Sequence, residues 1–232
     1  VERLSVESDV SIRRALILIL GEYPPDSVPD RQGLSEQLLK FYREDPDAGI
    51  HGAAGWVLRQ WGHSEALAGI DKELATGQVE GDRQWYVTRT QQHTFSVLPG
   101  PATFLMGSPL TEQDRFGIEN LHRRRIGQSF AISRTEVTVD QFQEFLRQSP
   151  GVRHGYTRKY APDPSCPQIS VTWYEAAAYC RWLSEQEGIA EDQMCYPPVS
   201  EIKPGLVLPS DYLTRTGYRL PSESEWVYAC RG

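Results

Sequence analysis

The 232-residue sequence has no long apolar run. Its longest uninterrupted apolar stretch is Ala15–Leu20, far short of the ~20 residues that a membrane-spanning helix needs, which excludes a transmembrane segment here. No basic stretch followed by an apolar core opens the chain, so no secretory signal is read. The absence of an initiator Met predicts that the chain continues upstream. A single asparagine, Asn120, is present and lies outside any Asn-x-Ser/Thr acceptor. Cysteine is sparse: Cys166, Cys180, Cys195 and Cys230 include no Cys-x-x-Cys pair, which leaves a zinc site without support. A Gly-rich phosphate loop, His-Arg-Asp and Asp-Phe-Gly are all missing, so no kinase domain lies in these residues. Positive charge is short as well, with 24 Lys and Arg against 31 Asp and Glu and a net charge of −7. That balance argues against a nucleic-acid partner, whose phosphates require a dense basic face. With no signal segment, a bacterial cytoplasm is the expected compartment.

The charge is unevenly divided. Residues 1–85 carry net −6 and residues 86–232 net −1, which suggests two modules. Apolar residues recur at helical spacing over Val10–Leu20, Gly33–Tyr42, Ala48–Trp61 and Ser64–Leu74. Asp9 or Ser11 offers a cap to the first of these, and Pro24-Pro25 stops it. Residues 1–78 are therefore expected to form antiparallel helix pairs. The run Asp45-Pro-Asp-Ala-Gly-Ile-His-Gly-Ala-Ala-Gly-Trp-Val-Leu resembles the inner helix of a HEAT-type repeat, a unit that stacks on its neighbours to bury its apolar face. His51 and His63 lack supporting ligands and read as surface or core histidines. Residues 79–92, polar and glycine-bearing, are expected to be a linker.

From residue 93 the period changes. Thr94–Leu98 and Thr103–Gly107 read as strands around Pro99-Gly-Pro, and Arg124–Ile132 as a third. Val139–Leu146, capped by Thr138, and a stretch from Thr172 to Gly188 read as helices. The fold class is α+β with short strands. Glu136, Glu175, Glu223 and Glu225 could form an acid/base set, but the simpler reading is capping or pairing with Arg219 and Arg231. Ser222 occupies an N-cap position, and Glu225 falls at the third residue of a capping box. Trp173, Trp182 and Trp226 are expected as buried anchors of a loop-rich core. Arg123-Arg124-Arg125 could bind phosphate, although no glycine-rich anion nest accompanies it.

Four segments occur in a telling order: Phe104-Leu-Met-Gly-Ser; Glu136-Val-Thr with Phe142 and Phe145; Val171-Thr-Trp-Tyr-Glu-Ala-Ala-Ala-Tyr-Cys-Arg-Trp-Leu; and Gly217-Tyr-Arg-Leu-Pro-Ser-Glu-Ser-Glu-Trp-Val-Tyr-Ala-Cys-Arg-Gly. Together they resemble the formylglycine-generating enzyme family, or sulfatase-modifying factor domains, over residues 93–232. Leu121 replaces a usual Pro before His122, Ser222 a usual Thr, and Val227 a usual Glu. The resemblance implies a C-type-lectin-like fold in which Glu136, Trp173, Trp182, Arg219, Glu225 and Trp226 are scaffold. It also implies copper-dependent oxidation of a substrate-protein cysteine to formylglycine, with two thiolates holding Cu(I).

In the family that cysteine pair follows the motif ending at Arg231-Gly232, which implies that this sequence contains only the N-terminal part of the domain and neither catalytic nor metal-binding residues. Calcium ligands are likewise expected downstream. Cys180 and Cys230 match positions that form structural disulfides with later partners in some members. A second reading is a non-catalytic lectin-like binding or sensory module of a larger bacterial signalling protein, in arrangements that sometimes follow a serine/threonine kinase. A third, the iron-dependent sulfoxide synthases of the ergothioneine pathway, needs a clustered His-x₃-His pattern that His51 and His63 do not supply.

Overall fold

The structure, a computed structural model, describes residues 2–155 and 158–231. Val1 and Gly232, the ends of the expected modules, lie outside them. The chain divides into two compact units, Val1–Val97 and Leu98–Gly232.

The first unit contains α1 (Glu2–Val6), α2 (Val10–Glu22), α3 (Arg31–Glu44), α4 (Ala48–Gln60), α5 (Ser64–Leu74), β1 (Trp85–Val87) and β2 (Thr94–Leu98). Aspartates start α2, α3 and α4. The carboxylates of Asp9, Asp30 and Asp47 accept from the amides of Ile12, Gly33 and Ile50 and so satisfy donors that the first turn leaves open. The central helix α4 packs on α2, α3 and α5, and Ile17, Leu34, Leu38, Ile50, Val57, Leu58 and Leu67 close the core.

The expected linker at 79–92 differs from the observed chain, because it contains β1. Trp85 is buried there and its indole N–H donates to the carbonyl of Asp45 at 2.9 Å. Its ring stacks on His51 at 3.8 Å, and His51 stacks in turn on Tyr42 at 4.1 Å. His51 is thus a core histidine. β1 pairs antiparallel with β2.

The second unit opens with β3 (Ala102–Met106) and β4 (His122–Ile126), paired antiparallel with Leu105 opposite Arg123 and Thr103 opposite Arg125. The hairpin expected around Pro99-Gly-Pro is therefore replaced by β1–β2 and β3–β4 pairings. The prolines lack the N–H groups that a tight strand connection would use. β5 (Phe130–Ser133) follows, so the expected third strand is broken at Gly127–Ser129. Then come α6 (Val139–Gln148), α7 (Trp173–Gln186), three single turns of 3₁₀-helix and α8 (Glu223–Arg231).

Phe142, Phe145, Tyr179 and Trp182 bind α6 to α7 through ring contacts of 5.3–5.7 Å. α8 covers the inner face of the β3–β4 ribbon, with Tyr228 on Phe104 at 5.2 Å and the Ser224 hydroxyl accepting from Arg124 Nε at 3.2 Å. Gly107 ends β3 at φ +98°, where a Cβ would strike the backbone of Asn120. Only glycine meets both demands. No helix among the described residues is long and apolar enough to cross a membrane.

Candidate functional site

Each of the two longest motifs is organised around one glutamate. At the start of α7, Thr172 and Glu175 form a reciprocal capping box. The amide and hydroxyl of Thr172 donate to Glu175 Oε2 at 2.7 and 2.6 Å, and the Glu175 amide donates to the Thr172 hydroxyl. The other carboxylate oxygen lies 2.8 Å from Nδ1 of His154, whose side chain is fully buried.

The amide of Gln168 fixes the histidine tautomer. Its Nε2 donates to the carbonyl of Ile169 at 3.0 Å and, with its second hydrogen, to His154 Nε2 at 2.9 Å. His154 therefore accepts at Nε2 and donates from Nδ1 to Glu175. Burial works against the Glu175 charge, but the bonds from Thr172 and His154 outweigh it and hold the carboxyl below its ordinary range.

A group whose pKa is lowered by folding adds stability above its unfolded value, and that stability is lost as pH falls through the folded value. The stability gap between the native chain and Glu175→Gln is therefore expected to be full at neutral pH and to close under acid, as followed by urea unfolding across that range. A gap that widens in acid would contradict this arrangement.

Glu175 lines a cleft of about 670 Å³ together with Arg153, Tyr174, Trp182 and Glu185 among others. His154 and Gln168 carry no sequence signature, because a lone His and a lone Gln gain meaning only from their partners in space.

At the start of α8 the amide and hydroxyl of Ser222 donate to Glu225 Oε2 at 2.8 and 2.9 Å. Arg219 grips the same carboxylate in two bonds of 2.8 and 2.6 Å, and both side chains are buried. Burial opposes ionisation of Glu225, yet the guanidinium and Ser222 bring its carboxyl below the usual range. Between the two motifs, residues 185–217 are held by Arg181, which donates to the Tyr196 carbonyl at 2.9 Å and pairs with Glu185 and Glu191. The Leu220 amide donates to the Tyr196 hydroxyl at 3.2 Å. Gly217 passes so close to this segment that a Cβ would lie 2.8 Å from the carbonyl oxygen of Gln193. Sequence reasoning missed Arg181 and Tyr196, since only the return of the loop shows what they hold.

The four glutamates do not gather. Glu175 caps α7 and Glu225 locks α8, whereas Glu136 and Glu223 are exposed. Of the three tryptophans expected to be buried, Trp182 is. Trp173 is 46% and Trp226 57% exposed. Both lie in the first turn of their helices, where Trp173 meets Tyr196 only edge-on at 5.8 Å. All four cysteines are free thiols, with Cys195 buried and Cys230 exposed.

Cys180 and Cys195 share one apolar cluster. Burial and the neighbouring Cys195 push the Cys180 thiol up to about 12. Burial also raises Cys195, whose Sγ donates toward the carbonyls of Gly217 and Tyr212 at 3.1 and 3.3 Å. Cu(I) is held by thiolates, so binding it here would have to displace both thiol protons. Among the described residues no three His, Cys, Asp or Glu side chains are grouped to hold a metal ion.

A two-stranded ribbon, capped helices and long ordered loops define an α+β domain of C-type-lectin-like architecture. Residues 84–232 match the family described as "Sulfatase-modifying factor enzyme 1-like domain", and the chain belongs to that family. Among solved structures the chain is similar to PvdO from Pseudomonas aeruginosa, at 29% identity and a TM-score of 0.38, over 45% of this chain and 44% of that one. The chain thus spans under half the length of that relative. A comparison with curated proteins finds no match.

Proposed function

We propose that this chain is the scaffold and client-recognition part of a sulfatase-modifying-factor-type protein whose client is another protein. The observation that carries the reading is the use made of the motif residues: Thr172, Glu175, Arg219, Ser222 and Glu225 are all engaged in holding α7 and α8. The motifs thereby set a rigid support, and the exposed loops and strand faces are left for recognition. The helical unit, in this reading, is a HEAT-like interaction element that precedes the lectin-like domain in the sequence.

Family membership favours a second reading, copper-dependent oxidation of a client cysteine to formylglycine. The raised Cys180 and Cys195 thiols weigh against these two as its copper ligands.

Titrating the reduced chain with Cu(I) in competition with a chromophoric chelator, then adding O₂ and a cysteine-containing peptide with an aldehyde-reactive hydrazide, tests whether the cysteines of this chain themselves carry the catalytic reading. The scaffold reading expects the chelator to retain the copper and no hydrazone to form. A hydrazone produced over many turnovers, and lost in Cys180→Ser, would replace it with the catalytic reading.

A further inference from the structure

We propose that the outer face of the β3–β4 ribbon, bearing Arg123 and Arg125, docks an extended acidic peptide segment of a partner protein. Side chains alternate across a strand. The set Phe104, Met106 and Arg124 faces α8: Arg124 Nε donates to the Ser224 hydroxyl at 3.2 Å, and Phe104 packs on Tyr228. The alternate set, Thr103 and Leu105 on β3 with Arg125 and Arg123 directly opposite, faces outward and is exposed.

Arg123 and Arg125 have no hydrogen-bonding or ion-pair partner among the described residues, in contrast to Arg181 and Arg219, which are fully engaged. Arg231, at the end of α8, reaches toward the Gly107 carbonyl at 3.4 Å and Glu112 at 3.5 Å. With Arg123 and Leu105 it lines a cleft of about 590 Å³. Leu105, 60% exposed, supplies apolar contact beside the guanidinium groups.

Charge and spacing choose the occupant. Successive outward residues on a strand repeat every ~6.6–6.8 Å, and so do alternate carboxylates on an extended peptide, so each guanidinium meets one carboxylate in planar, two-bond geometry. The edge of β4 away from β3 carries no strand among the described residues and can pair with such a peptide. A nucleic acid is disfavoured, because the chain as a whole carries net −7 and three guanidiniums fall short of the ~6–10 phosphate contacts of a typical binder.

The proposal rests on the reading of a protein client and specifies that client's chemistry. Fluorescence polarisation on the full 232-residue chain tests it with a short peptide alternating Glu and Val, its Lys–Val counterpart, and a single-stranded oligonucleotide. The Glu–Val peptide is expected to bind, to weaken with salt, and to lose roughly tenfold in affinity in R123E/R125E, while the Lys–Val peptide does not bind. R123Q/R125Q, with an unchanged melting curve, is expected to fall between. No salt-sensitive binding of the Glu–Val peptide, or binding unaltered in both variants, overturns the arginine face and leaves the protein-client reading standing. Preference for the oligonucleotide overturns both.

Discussion

Glu225→Ala is expected to destabilise the second unit by about 3–5 kcal/mol, the range for removing one partner of a buried ion pair. The loss has two sources. Arg219 remains buried with only the Leu213 and Leu220 carbonyls as partners, and Ser222 loses the acceptor for both its amide and its hydroxyl. Amide exchange in α8 reads the effect locally, with protection falling by roughly a hundredfold or more. Replacing both partners together, as in R219M/E225L, is expected to restore the part of the stability lost to the orphaned charge, while the part lost with the Ser222 acceptor remains. Exchange in α8 that is unchanged in Glu225→Ala would show that the lock is ornamental. Acid acts on the native chain in the same direction: the stability from the lowered Glu225 carboxyl is present above its unfolded value and is lost as pH falls through the folded one.

Trp85→Ala is expected to cost the helical unit about 3–5 kcal/mol, as for other large aromatic truncations in a core. The indole closes the stack of Tyr42, His51 and Trp85, donates to the Asp45 carbonyl and lies under the guanidinium of Arg83 at 4.8 Å. Its removal leaves a void against α3 and α4, so amide protection in those helices is the measurement. Trp85→Phe, which keeps most of the ring area but not the donor, is expected to cost less. If residues 79–92 acted only as a spacer, Trp85→Ala would leave α3 and α4 unaffected.

These two residues mark where the sequence was legible and where it was not. The helices of the first unit follow from apolar spacing and aspartate caps, both local signals, and α5 is observed over the same residues as expected. The capping boxes at Thr172 and Ser222 are equally local, because the three-residue spacing from Ser222 to Glu225 is itself the signal that puts the glutamate at the third position of its helix. Strand β1 is three residues long and embedded in polar chain, so nothing local identifies it. Its cause is Trp85 finding His51, far away in sequence. His154 and Gln168 escaped for the same reason, since their roles are defined by Glu175. Trp173 and Trp226 show the converse error: size and apolarity suggest burial, but a residue in the first turn of a helix faces whichever way the helix axis dictates.

Residues 185–217 leave and return at one point. The Ile189 amide donates to the Ser184 carbonyl at 3.0 Å, and the Tyr218 amide donates to the Ser184 hydroxyl at 2.8 Å. An excursion whose two ends are pinned to a single residue can change length at little thermodynamic cost, because doubling a loop adds only about 0.6 kcal/mol of closure entropy. The α7 motif and the α8 motif therefore keep their mutual geometry when chain is added to this stretch away from its buried Met194–Tyr196 segment. That makes this stretch the natural place for the domain to have acquired, or to be given, a recognition element of its own.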